Sequence, residues 1–327
     1  MMLDPHYRFE DFFPAGDEAC EAAALVWNQA CGPKLSITSA FVHYNTRPIS
    51  GIQPHGQIVY HGEDPVGFIL ASYEVDNPAN PAPSMSGSLH TGWFDAMAVH
   101  PKYQGRGIGS ELVNWAQGWL VSKGCKIIHL GGSLRPFMPG LPAELGSLDF
   151  FMKRGFKDRG FAWDLCHDLQ NYQPRQDGRL ELTRPLEPEQ EELFRRFLKR
   201  EFPDRWLFEF EESARTGERL TDYQVLWVGG EMNGMVILTF EDSMRPLDRY
   251  YMHGLPRPWG QLGTVGVSKS LRGQGYGAVI MDSGLRRLAA QGVRGCVIDW
   301  TGLLDFYGKF GFKPYRQYHV LVKDFNQ

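Results

Sequence analysis

Two short segments are the first sign of chemistry in this chain. Gln104-Gly105-Arg106-Gly107-Ile108-Gly109 returns as Arg272-Gly273-Gln274-Gly275-Tyr276-Gly277, so each copy reads (Gln/Arg)-x-x-Gly-x-Gly. Glycine reaches positive φ at no steric cost, and a turn rich in it can aim several backbone N–H groups at one point. A helix that opens there adds the unpaired N–H groups of its first turn and the positive end of its dipole. A diphosphate suits such a cradle. Each charge–dipole contact contributes ~0.3–1 kcal/mol when exposed, so several must act together. One copy could equally be a plain glycine-rich turn. Two copies in matching settings point to a duplicated domain.

The settings do match. In the first copy, Phe94-Asp95-Ala96-Met97-Ala98-Val99 reads as a strand closed by His100-Pro101. Beyond the loop, Leu112, Trp115, Ala116, Trp119 and Leu120 recur at helical spacing, Gly124 stops the helix, and residues 126–130 form the next strand. In the second copy residues 264–267 are the strand and 279–290 the helix. Gly292 is the stop, and residues 296–299 are the following strand. Each copy then ends alike, in Phe150-Phe151-Met152-Lys153-Arg154-Gly155-Phe156 and Phe306-Tyr307-Gly308-Lys309-Phe310-Gly311-Phe312.

On these residues the chain resembles the GNAT superfamily of acetyltransferases, twice over. That family carries (Gln/Arg)-x-x-Gly-x-(Gly/Ala) at a strand-to-helix turn and often ends with an aromatic residue shortly before a Gly-Phe pair. The resemblance implies an α/β fold of the α+β type. Two tandem domains would each hold a mixed, mostly antiparallel sheet flanked by helices. It implies acetyl-coenzyme A as donor, with its pyrophosphate on Gln104, Gly105, Arg106, Gly107, Ile108 and Gly109, or on Arg272, Gly273, Gln274, Gly275, Tyr276 and Gly277. The pantetheine arm would lie along the preceding strand, at Met97 and Val99 or at Val265 and Val267, much as an added β-strand would.

Length and composition fit a soluble two-domain enzyme. The chain has 327 residues, more than one domain usually holds. Polar residues 171–178 include Pro174 and Gly178 and read as a linker, giving domains at 1–172 and 179–327. Residues 180–182 would start the first strand of the second domain, and residues 189–202 its first helix. A net charge of −4 argues against a broad nucleic-acid-binding face. Five scattered cysteines without a Cys-x-x-Cys pair suit a reducing cytosol. Met1-Met2-Leu3-Asp4-Pro5 lacks the basic and apolar regions of a secretion signal, so a cytoplasmic location is expected. No run approaches a membrane span, and the histidines show no metal-ligand spacing, so no membrane and no metal are expected. Two fused copies already form an internal pseudo-dimer, which leaves monomer and homodimer both open.

The copies differ in ways that bear on chemistry. The loops start at 104 and 272 but the Gly-Phe ends fall at 155 and 311, so the first copy holds about twelve extra residues, mapped to 131–142. That stretch is rich in glycine and proline and is either a pocket wall or a tolerated insertion. Acetyl transfer needs a neutral amine, yet a lysine-like amine has a pKa near ~10.4, so an acidic residue or a water must take a proton. The resemblance implies a tyrosine in the last helix as acid for the departing thiolate. Tyr307 stands at that place in the second copy and Phe151 in the first. By that test the C-terminal domain is catalytic. For the base, Asp95 sits where the family often places an acidic residue, matched by Gly263 in the second copy, while Asp299 ends the next strand there.

The order Asp299-Trp300-Thr301, the Gly-Pro-rich loop and the two-domain layout also resemble bacterial glucosamine and glucosaminide acetyltransferases, which implies a small-molecule primary amine, an amino sugar, as acceptor. Trp93, Trp163, Trp300, Tyr315 and Tyr318 flank these strand ends. Two other readings compete. Both domains could bind acetyl-coenzyme A as a sensor or scaffold. Gly273-x-Gly275-x-x-Ala278 followed by Asp299 also resembles a dinucleotide fingerprint, but Ser268 to Arg272 separate strand from glycines and too little chain follows for further βαβ units.

Overall fold

A computed structural model describes residues 4–75, 90–134, 137–175 and 177–325. Met1, Met2 and Leu3, Arg135 and Pro136 of the expected insertion, and Gln176 of the expected linker lie outside them.

The strands run in chain order as β1 (Tyr7–Asp11), β2 (Ile52–His61), β3 (Asp64–Glu74), β4 (Thr91–Val99), β5 (Ile127–Leu130), β6 (Leu141–Pro142) and β7 (Lys157–Asp168). They continue as β8 (Thr183–Pro185), β9 (Tyr223–Val228), β10 (Glu231–Phe240), β11 (Trp259–Val267), β12 (Gly295–Thr301) and β13 (Lys313–Asp324). The helices are α1 (Asp17–Cys31), α2 (Ser39–Thr46), α3 (Ile108–Ser122), α4 (Leu148–Met152), α5 (Glu191–Glu201), α6 (Arg205–Thr216), α7 (Tyr276–Ala290) and α8 (Leu304–Gly308).

The chain forms two compact units, one of residues 1–162 with 316–327 and one of residues 163–315. In the first, β1 to β5 lie side by side, and β13 follows β5. Neighbours pair antiparallel except β4 and β5, which run parallel through Thr91↔Ile127 to Phe94↔Leu130. Helix α3 packs Leu112, Val113, Ala116 and Leu120 against Val59, Ile69 and Phe94 of the sheet. Their spacing of three and four residues keeps them on one face, and each full burial contributes about 1.5–3 kcal/mol.

Leu321 of β13 is fully buried in this same core. Arg316 donates to Glu144 at 2.9 Å and to the Lys34 carbonyl at 3.2 Å, and Lys323 reaches Gln117 at 2.6 Å. The last strand of the chain is thus built into the unit that holds its first strand.

The second unit repeats the plan. β8, β9, β10, β11 and β12 are consecutive neighbours, with residues 163–168 of β7 beside β12. Here too a single pair, β11 and β12, runs parallel, from Trp259↔Gly295 to Gln261↔Val297. Ile280, Leu285 and Leu288 of α7 pack on Val236, Leu238 and Leu262. The stretch after β7 is tied to α7, since the buried carboxylate of Asp282 accepts from the Tyr172 hydroxyl and, at 2.9 Å, from the Arg175 backbone. Leu180-Glu181-Leu182, expected as a strand, lies in a short 3-10 helix, Gly178–Leu182. The Asp177 side chain caps it by accepting from the Arg179 N–H, and extended backbone starts only at Thr183. No helix among the described residues is long and apolar enough to cross a membrane.

Candidate functional site

β4 outruns its parallel partner. Pairing with β5 ends at Phe94↔Leu130, closed by Gly131 N–H donating to the Phe94 carbonyl at 2.8 Å. Beyond it β4 continues to Val99, bonded on its other side to β3. Alternate residues of 95–99 therefore turn their N–H and C=O groups toward the opened gap. At Asp95 the ladder with β3 skips a residue, Leu70 facing Ala96 and Ala71 facing Phe94. A bulge of this kind leaves one residue unpaired and re-aims its side chain.

A cleft of about 750 Å³ occupies the gap. Its walls are residues 94–99 of β4, Gln104, Gly105, Gly107 and Gly109 of the first glycine loop, Trp27 and Cys31 of α1, Phe150 and Phe151 of α4, and Met138, Gly140, Leu141 and Pro142. Gly131, Met138, Gly140, Leu141 and Pro142 of the extra residues in the first copy are therefore cleft wall. β6 pairs with β13 through Tyr318↔Pro142 and His319↔Leu141. Gly140 lies so close under the His319 carbonyl that no Cβ would fit.

The first glycine loop is braced against β4. Gln104 Nε2 donates to the Val99 carbonyl at 2.9 Å, which ties the loop to the end of β4. Gly105 and Gly107 take φ of 75° and 94°. Gly107 is the N-cap of α3, and no side chain caps the helix there. A Cβ on Gly109 would press on Met97 and Phe150 at 3.3 and 3.4 Å, so this glycine serves packing. Arg154, which sequence reasoning passed over, lines the same cleft. Its guanidinium stacks 3.6 Å over Phe150 and donates to Ser110 at 2.5 Å, so a cation stands beside the first turn of α3. The signal was its place one residue before Gly155. This cradle, its open helix start and the unpaired edge of β4 fit a pyrophosphate and an amide-bearing arm.

Asp95 lines the inner part of the cleft. It is part-buried on β4, and burial pushes its carboxyl up to about 7 against the opposing pull of hydrogen bonds from Ser133 and Ser72. The Ser72 hydroxyl donates at 3.1 Å. A carboxyl titrating near neutrality is half ionised at the pH where an amine must lose a proton. Phe151, at the place of the expected acid, is buried among Phe150 and Phe156.

The second unit keeps the loop but fills its surroundings. Arg272 Nε donates to the Val267 carbonyl at 3.2 Å, the counterpart of the Gln104 tie and the reason either residue type serves there. Gly273 and Gly275 again have positive φ, 80° and 84°. Arg179, however, lies across this loop. Its Nη1 donates to the Gln274 carbonyl at 3.0 Å, its Nη2 sits 3.2 Å from where a Cβ on Gly275 would stand, and Asp177 grips it from behind. On β11, Phe202 and Trp206 press on Gly266, at 2.7 and 2.6 Å from where its Cβ would be. Val265 is partly buried against the unit's core, and Val267 is buried in it.

Tyr307 is buried in the core, ringed by Phe306 and Phe312. Burial, then the Asp299 charge, raises its hydroxyl to about 12. Asp299 accepts from Gln261 at 2.9 Å, and Gln261 accepts in turn from Thr239 at 2.9 Å. Trp300, with φ 48°, lies under the Arg205 guanidinium at 4.4 Å, and Trp93 and Tyr318 are buried in the first unit. Within their own units, then, Asp95 stands with Met97, Val99 and the loop from Gln104 to Gly109 around one cleft, while Tyr307 is buried in a packed core and feels the charge of the part-buried Asp299. Among the described residues no group of three or more His, Cys, Asp or Glu side chains could hold a metal ion.

Comparison with known proteins agrees with this architecture. A fungal multi-domain GH3 β-N-acetylglucosaminidase holds a GCN5-related glucosamine N-acetyltransferase region. It superposes with a TM-score of 0.80 at 22% identity, covering 98% of the present chain, which spans 38% of that longer one. A GCN5-related N-acetyltransferase from Sphaerobacter thermophilus matches with TM-score 0.67 at 15% identity over 99% of this chain and 97% of its own. A tandem GNAT protein from the clavulanic acid biosynthesis pathway matches with TM-score 0.67 at 15% identity, over 97% and 98%. No curated protein sequence matches the chain. The profile of the acetyltransferase (GNAT) family matches residues 25–156 and again 187–312. The chain therefore belongs to the GNAT family of acetyltransferases and carries two GNAT regions in tandem.

Proposed function

We propose that the protein transfers an acetyl group from acetyl-coenzyme A to the primary amine of a small molecule, with the chemistry in the N-terminal region. The observation that carries this reading is the cleft of about 750 Å³ that joins the first glycine loop to Asp95. The loop N–H groups and Arg154 take the pyrophosphate, and the free edge of β4 takes the arm. Asp95 accepts a proton from the acceptor's ammonium, which frees the nitrogen lone pair for attack on the thioester carbonyl. Phe151 supplies no proton to the leaving sulfur, and a thiolate needs little help, since thiols have a pKa near ~8.5.

The C-terminal region, which Tyr307 favours from sequence, serves in this reading as a structural partner. Arg179 on its loop and Phe202 and Trp206 on β11 support that role. An amino sugar is the acceptor we favour, in line with the fold shared with the glucosamine N-acetyltransferase region of the fungal protein.

The test is acetylation of glucosamine, a polyamine and a peptide N-terminus by the wild type, Asp95→Asn and Tyr307→Phe. Asp95→Asn should lose about 10²–10⁴-fold in rate, and Tyr307→Phe should stay within a few-fold of wild type. The opposite pattern would move the chemistry to the second region. Turnover of the polyamine or peptide alone would discard the sugar.

A further inference from the structure

Asp95 lines a second, much smaller cavity of about 30 Å³. It is the one described residue common to this cavity and the cleft. The other polar walls are Ser72, Ser133, Thr46 and Asn45; Leu70 and Phe137 are among the apolar ones. Asn45 lies near the end of α2, is 8% exposed, and has neither its amide nitrogen nor its amide oxygen hydrogen-bonded. Burying a primary amide with both ends unmatched is strongly unfavourable, so such groups are found bonded to protein or ordered water. The cavity has room for one or two water molecules and for no part of a sugar ring. Asn45 offers a donor and an acceptor, and the Asp95 carboxylate offers another acceptor. Those are the two to four partners a buried water takes.

We propose that this cavity is a binding site for ordered water, held between the Asn45 amide and the Asp95 carboxylate, and that Asn45 is thereby a positioning residue for the base. The water hydrogen-bonds the ionised carboxylate from behind, leaving its other face to the acceptor. Desolvation raises a carboxyl's pKa and hydrogen bonds to the charged form lower it, so the water favours the ionised base. Among the described residues no other titratable group lines the small cavity; Cys31 of α1 and Arg154 line the cleft, and the hydroxyls of Ser72 on β3 and Ser133 face the carboxylate. The inference rests on the reading of Asp95 as base.

The experiment uses Asn45→Leu, which fills the site with an apolar group of similar size, and Asn45→Ser, which keeps it polar. Carboxyl-carbon NMR, with Asp95→Asn to assign the resonance, reads the Asp95 midpoint without reference to activity. We expect the midpoint to rise by about one unit in Asn45→Leu, with kcat/KM about fivefold lower at pH 7 and recovered above pH 9. Acceptor KM and acetyl-coenzyme A affinity should not move, and Asn45→Ser should match the wild type. An unmoved midpoint in a folded Asn45→Leu overturns the proposal. So does an acceptor KM raised tenfold at constant midpoint, since Asn45 would then touch the acceptor. If Asn45→Leu does not fold, a high-resolution crystal structure of the wild type decides: density for water between Asn45 and Asp95 supports the site, and its absence rejects it. Should Asp95→Asn retain turnover, the base assignment fails while the midpoint shift still reports on the water.

Discussion

The side-chain amide of Gln261 fills the space that a side chain on Gly263 would occupy. Gly263 is the counterpart of Asp95 in the repeat, so where the first unit places a carboxyl the second places a neutral amide, bonded to Thr239 and Asp299. Gly263→Ala should displace that amide and break both bonds. Each buried polar group left unsatisfied costs about 1–3 kcal/mol, so melting should fall by several degrees while acetyl transfer at the folded temperature is kept. An unchanged melting temperature would show that the amide has another place to go.

Asp95 links activity to stability through pH. Its folded pKa lies above the unfolded value, so the folded state holds the proton more tightly and stability is lost as pH rises from about 4 to about 7. Relative to 3.8 the shift amounts to on the order of 4 kcal/mol at most, fully expressed above pH 7. Asp95→Asn removes that cost. It should melt higher than wild type at pH 8.5 and gain little at pH 4. Wild-type kcat/KM should rise through pH 7 to a plateau. A larger gain at pH 4 than at pH 8.5 would contradict the sign.

Arg179 lies across the second glycine loop, and the donor is proposed to sit on the first. Calorimetry with acetyl-coenzyme A should give one site per chain, abolished by Gly107→Glu and indifferent to Gly275→Glu. Arg179→Ala should leave that site intact. Two equivalent sites in the wild type would mean that Arg179 swings off the second loop and would undo the assignment of a single donor site.

A chain cut after residue 315 lacks most of β13. Loss of Leu321 from the core and of Arg316 from Glu144 should prevent the first unit from folding and abolish acetyl-coenzyme A binding, although every cleft residue is still present. A synthetic peptide spanning β13, added in trans, should restore part of it. Binding at wild-type strength by the shortened chain would be the contrary result.

The duplicated fold was readable in the chain because its signals are local. Two glycine turns between apolar runs, each closed by an aromatic and a Gly-Phe pair, fall within stretches short enough to compare by eye. The spacing that sets Asp95 a few residues before the loop from Gln104 to Gly109 is local as well. What separates the two units was not. Arg179 lies 95 positions before the carbonyl it bonds. Phe202 and Trp206 come from the α5–α6 junction, and Asn45 from α2, far from the strand residues they face. Tyr307 looked decisive because its place in the motif was right. Its surroundings, a packed core, depend on residues that no local pattern connects to it. The boundary near residues 171–178 carries the composition of a linker, whereas the parting of β7 and β13 between units has no compositional mark.

That parting also sets an order of events during synthesis. The ribosome finishes residue 162 long before residue 316 exists. At ~5–20 residues per second, the nascent first unit waits roughly ten to thirty seconds for its missing strand. Throughout that interval the side of β5 that β13 will cover exposes unpaired backbone to any passing strand. If the first unit carries the chemistry, as proposed above, activity begins only once residues 316–324 have been made, and a product terminated before them carries every cleft residue yet does no work.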